Sequence, residues 1–214
     1  MSVISVIGGT GYAGRAIVAE AARRGHEVRS FSRRAPENRV PGVVYETGSV
    51  VDEDVRADAL EQVDIVVIAF SPRGDMIDVL RPLVNTIAEE AAERGVRLGV
   101  VGGAGSLLVA PDGPRLVDTP EFPDFVRPES LTMAAVIDDL KISPSELDWF
   151  VLCPAAGFGA QAPGEARGVY RIGGDVLVTD DHGISDISGA DFALAFVDEI
   201  EHPAHHRKRF TVAY

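Results

Sequence analysis

Val3-Ile4-Ser5-Val6-Ile7-Gly8-Gly9-Thr10-Gly11-Tyr12-Ala13-Gly14 is the stretch that decides the fold. Val3, Ile4, Val6 and Ile7 form a short apolar run stopped by glycines, and Ala13 to Arg24 then has helical composition, closed by Gly25. The order is strand, tight loop, helix. The glycines fit two spacings, GxGxxG through Gly9, Gly11 and Gly14 and GxxGxxG through Gly8, Gly11 and Gly14. Glycine permits the tight turn and lets backbone approach a pyrophosphate closely, while free N–H groups at the helix start, aided by the helix dipole, hold an anion. This stretch therefore reads as a dinucleotide cradle.

Outward from it, strand and helix signals alternate. His26 to Ser32 reads as a second strand, Val43 to Glu46 as a third, and Asp64 to Phe70 as a buried fourth. Met76 to Glu93 reads as a long helix, Val96 to Val101 as the fifth strand, and Leu131 to Ile142 as a helix stopped before Pro144. Trp149 to Leu152 is a sixth strand and Arg209 to Tyr214 a last one. This alternation predicts an α/β chain with a doubly wound parallel sheet, one domain over residues 1–214 with a small C-terminal appendage on the substrate side. Two segments interrupt it. Residues 111–129 carry five prolines with Phe122 and Phe125 and read as a flap; residues 160–186 read as a small hairpin turning at Gly173-Gly174. Both follow the C-terminal ends of strands, where open α/β sheets bind ligands. Ser188 to Asp191 has a helix-start pattern close to a capping box.

Composition narrows the function classes. The 214 residues are 46% hydrophobic and 25% charged, ordinary for a soluble globular chain. A net charge of −13 repels phosphate backbones and anionic lipid, which argues against nucleic-acid and membrane partners. The single cysteine, Cys153, has no internal disulfide partner, and the opening MSVISVIGG lacks the pattern of a secretory signal. A cytoplasmic protein, monomer or homodimer, is the expectation.

The end of the second strand speaks to the choice of dinucleotide. An NAD site places an acid there for the ribose 2′-hydroxyl, but the chain reads Ser30-Phe31-Ser32-Arg33-Arg34, with no acid until Glu37. Two guanidiniums suit the 2′-phosphate of NADP, and loss of one such charge-assisted contact is worth roughly 10- to 150-fold in affinity.

GGTGYAG at 8–14, FSRR at 31–34, DIVVIAFS at 64–71, VVGGAGSL at 100–107, CPAA at 153–156 and DISGADFA at 186–193 together resemble the atypical short-chain dehydrogenase/reductases. Within that group the chain is similar to the biliverdin reductase B/flavin reductase and NmrA-like proteins over essentially its whole length. The resemblance implies a Rossmann fold and roles by position. Gly8, Thr10, Gly11, Tyr12, Ala13 and Gly14 would surround the pyrophosphate, Arg33 and Arg34 the 2′-phosphate, and Ser49 and Val50 the adenine. Ala69, Phe70 and Ser71 would lie along the ribose, with Gly103, Ala104, Pro154, Ala155 and Ala156 near the nicotinamide.

The chain departs from the main group in its acid-base chemistry. Those enzymes use a Tyr-x-x-x-Lys pair as proton donor, whereas none of the four tyrosines here (12, 45, 170, 214) stands four residues before a lysine. The family's serine near the nicotinamide appears as Gly103, leaving Ser106 as the candidate catalytic hydroxyl. Hydride transfer to a flavin, a quinone or another conjugated small molecule needs no side-chain acid, because the acceptor delocalises the charge until solvent protonates it. An NADPH-dependent reductase is thus the leading expectation, with Phe122, Phe125, Phe158 and Tyr170 as possible walls of an acceptor slot. An NmrA-like NADP(H) sensor without catalysis is the alternative, and a nucleotide-sugar epimerase or dehydratase a weaker one. No metal site is expected: His202, His205 and His206 match no zinc spacing, and adjacent Asp138 and Asp139 point in different directions on a helix.

Overall fold

The computed structural model describes residues 1–214. Its frame is an eight-stranded sheet: β1 (Val3–Ile7), β2 (Glu27–Ser32), β3 (Val44–Thr47), β4 (Ile65–Ile68), β5 (Arg97–Val101), β6 (Trp149–Cys153), β7 (Arg171–Gly173) and β8 (Lys208–Ala213). The spatial order is β3-β2-β1-β4-β5-β6-β8-β7, parallel throughout except where β7 runs antiparallel to β8. This is the Rossmann arrangement that the alternation of signals predicts. The helices are α1 (Tyr12–Arg23), α2 (Glu53–Ala59), α3 (Leu80–Arg94), α4 (Arg127–Lys141) and α5 (Gly189–Glu201).

Burial on both faces of the sheet explains the continuous apolar runs. On one face Val66, Ile68, Leu98 and Val100 pack against Leu80, Val84 and Ile87 of α3 and Val136 and Ile137 of α4. On the other, Ile4, Val6, Ile65 and Val67 meet Ile17, Val18 and Ala21 of α1 and Phe192 and Phe196 of α5. α3 ends on Gly95 in the left-handed region (φ 67°), whose N–H closes the last turn. α5 begins as its sequence pattern predicts: the Ser188 hydroxyl accepts from the Asp191 N–H at 3.0 Å. No helix is long and apolar enough to cross a membrane.

Five details differ from the sequence reading. α2 had no counterpart in it. The helix placed at Met76 is a 3₁₀ turn over Gly74–Met76, and α3 starts only at Leu80. Pro82 is the reason, since its ring would clash with the carbonyl four residues earlier in a continuous helix. Conversely α4 starts at Arg127, inside the flap, because Pro128 is harmless in a first turn. The flap is not structureless either: it holds 3₁₀ turns at Leu116–Asp118 and Asp124–Val126. The hairpin at Gly173-Gly174 does not form. Its first arm, β7, pairs with β8, and Val176 bridges to Leu108 at the root of the flap.

Candidate functional site

β1 has β2 on one side and β4 on the other, so the chain leaves the sheet in opposite directions at adjacent strand ends and a crevice opens there. The glycine loop fills its floor. Gly8, at φ +87°, donates its N–H to the Phe31 carbonyl (2.8 Å) and accepts at its own carbonyl from the Gly11 N–H (3.0 Å). A Cβ on Gly14 would stand 2.2 Å from the Gly8 oxygen, and one on Gly9 2.2 Å from Ser30 Oγ, so helix, loop and neighbouring strand meet at backbone distance. Gly11 caps α1 without any side-chain bond, and no acid lies in the first turn. The orphan N–H groups and positive helix end are left for an anion. This bare, uncapped cradle fits the pyrophosphate of a dinucleotide.

A cleft of about 1200 Å³ runs from the loop along the C-terminal ends of the strands to the flap. Gly8, Thr10, Gly11, Tyr12, Ala13, Arg33, Arg34, Ser49, Val50, Ala69, Phe70, Ser71, Gly103, Ala104, Pro154, Ala155 and Ala156 all line it. Gly14 lies beneath, where its role is the close packing just described. Arg33 and Arg34 stand at the β2 end, and the Arg33 guanidinium is 2.6 Å from the Asp75 carboxylate. Toward the flap the walls become apolar: Leu116, Phe122 and Val126 from the flap, Met133 from α4, and Phe158 after β6. Arg73 and Glu129 meet there at 2.7 Å.

Other sequence candidates fall outside this cleft. Ser106, expected to be catalytic, is 3% exposed, donates to the Gly103 carbonyl (3.0 Å) and lies 3.7 Å from Cys153 Sγ, beside a separate cavity of about 220 Å³. Its position corrects that expectation, because the hydroxyl is committed to holding the turn after β5. Burial pushes the Cys153 thiol up to about 11, so it is a protonated core group. Phe125 is 83% exposed, and Tyr170 packs on the α1–α5 side of the sheet with its hydroxyl donating to Asp198 (2.5 Å). His205 pairs with buried Glu199 and His206 with Asp148, while Asp139 binds Arg81 and Asp138 binds Lys141.

Residues that sequence reasoning missed are Arg73 and Asp75 on the loop after β4, and Glu121, Glu129, Ser130 and Met133 around the flap. A signal was present. Ser71-Pro72-Arg73-Gly74-Asp75 is a Pro/Gly loop bearing two opposite charges at the end of a central strand.

A family model described as NAD(P)H-binding matches residues 8–203. The uncharacterised protein YwnB of Bacillus subtilis is 36% identical over 98% of this chain and 97% of its own length. Among solved structures, a candidate exported protein from Burkholderia pseudomallei is 38% identical, with both chains fully covered and a TM-score of 0.87. A candidate NADH-flavin reductase from Streptococcus pneumoniae is 34% identical over 100% of this chain and 99% of its own, with a TM-score of 0.84. The chain belongs to the NAD(P)H-binding family, within the atypical short-chain dehydrogenase/reductases.

Proposed function

We propose that this protein is a cytoplasmic reductase that passes hydride from NADPH to a flavin, a quinone or another conjugated acceptor. One observation carries the reading: a single cleft joins the uncapped glycine loop to an apolar chamber roofed by the flap, with Gly103, Ala104 and Pro154 to Ala156 between them. When bound, the dinucleotide supplies the hydride. The α1 N-terminus and the glycine loop hold its pyrophosphate, and Arg33 with Arg34 offer guanidiniums to a 2′-phosphate. The small residues at 103–104 and 154–156 let two flat rings approach. Leu116, Phe122, Val126, Met133 and Phe158 exclude water from the second ring's faces. No tyrosine–lysine pair is present to deliver a proton, so the proton reaches the reduced acceptor from solvent at the cleft mouth.

The test is NADPH oxidation followed with FMN, quinones, biliverdin and an unconjugated ketone. Turnover confined to the conjugated acceptors supports the reading. Micromolar NADPH binding without turnover of any acceptor would favour a dinucleotide sensor instead.

A further inference from the structure

The charges lining the cleft are unevenly divided. Arg33 and Arg34 stand at the β2 end with one carboxylate, Asp75, whereas the flap end holds two carboxylates, Glu121 and Glu129, with one arginine, Arg73. Arg73 is engaged, its Nε donating to Glu129 at 2.7 Å. The flap as a whole, residues 111–129, carries five carboxylates against two arginines. Both arginines are committed within it. Arg115 makes two hydrogen bonds to Asp118 (2.7 and 3.1 Å), and Arg127 binds Asp124 (3.2 Å) and the carbonyls of Phe122 (2.9 Å) and Val117. An anionic group entering this end finds no uncommitted cation. To take Arg73 it must displace Glu129 and leave that carboxylate unpaired on the chamber wall, next to the negative charge the ligand brings. Ser130 offers a neutral hydroxyl at the same wall.

We infer that the acceptor chamber selects a planar conjugated ring without negative charge, so that an uncharged flavin or quinone is used in preference to a phosphorylated or polycarboxylate acceptor. This rests on the reductase reading and names the substrate class for that same site.

Riboflavin and FMN differ only in the phosphate and make the test clean. At low ionic strength, kcat/KM with NADPH is expected to be about three- to tenfold higher for riboflavin, with the gap closing in about 0.5 M salt as screening sets in. Glu121→Gln is expected to raise FMN turnover toward that of riboflavin. Equal use of the two, preference for FMN, or a gap indifferent to salt would overturn the inference while leaving the reductase reading intact. Quenching of flavin fluorescence with NADP+ present reads the same preference without turnover. If riboflavin binds more tightly than FMN yet no hydride passes, the reductase reading falls and the charge selection stands. If neither flavin nor a neutral quinone binds, the inference falls.

Discussion

Asp75 and Arg33 face each other at the β2 end of the cleft, carboxylate to guanidinium at 2.6 Å, each side chain more than half exposed. A 2′-phosphate that takes Arg33 must share it with this carboxylate or displace it. Asp75→Asn is therefore expected to tighten NADPH about two- to fivefold and to change NADH less than twofold, because exposed pairs are individually weak. Arg33→Ala should weaken NADPH about tenfold, near the low end for a charge-assisted contact. Calorimetric titration of both cofactors checks this, and equal affinities for the two in wild type would remove the assignment.

Gly14 and Gly11 sit one helical turn apart and should fail differently. A Cβ at Gly14 meets the Gly8 oxygen at 2.2 Å, while at Gly11 the nearest atom is 3.3 Å away. Gly14→Ala is expected to destabilise the fold by about 1–3 kcal/mol, a fall in Tm of about 2–12 °C. Gly11→Val should keep a native circular dichroism spectrum and near-native melting but lose cofactor binding, since its branches occupy the bare face of the cradle. Thermal denaturation with and without NADPH separates the two.

Tyr170, expected from the sequence as a wall of the acceptor slot, lies away from the cleft. Burial and then the Asp198 bond push its hydroxyl well above the ordinary tyrosine range. Tyr170→Phe is expected to cost about 1–2 kcal/mol of stability and leave kcat within twofold of wild type. A tenfold loss of turnover in a well-folded variant would contradict proton delivery from solvent.

Glu199 gives the fold a pH dependence of known sign. Burial alone would raise its pKa, but bonds from His205, Arg97 and the backbone N–H groups of His205 and Ala204 hold it below the ordinary 4.5. A carboxylate lowered in the folded state contributes stability that is fully present above its unfolded value and is lost as pH falls through the folded one. Glu199→Gln should thus cost about 3 kcal/mol at pH 7, since it leaves Arg97 short of a buried partner. The difference from wild type should shrink below pH 4.5. Urea midpoints for both proteins at pH 7 and at successively lower pH measure it.

Much of this was legible in the chain because the decisive contacts are local. Val3 to Gly14 specifies strand, turn and helix by apolar period and glycine alone, and the core strands announce themselves by runs such as Ile65 to Ile68. The helix boundaries at Leu80 and Arg127 are not legible, because a proline's effect depends on its position within the helix, which composition does not mark. The local pattern around Gly173-Gly174 does not reveal the partner of β7, because β8, some 40 residues later, takes it. Arg73 with Glu129 and Ser106 with Gly103 illustrate the same divide in the site: a long-range pairing invisible in spacing, and a hydroxyl whose role is fixed by its burial.

Leu108 donates its N–H to the Asp175 carbonyl and accepts from the Leu177 N–H, while Leu116 donates back to Leu107. The roof over the chamber is therefore stitched to the segment that follows the sheet's antiparallel edge strand. Amide exchange at Leu108, Leu116 and Leu177 should occur as one cooperative opening, slower than at the flap's exposed middle around Phe125. Fraying of that edge, several strands away from the glycine loop, then becomes a way of admitting water to the chamber.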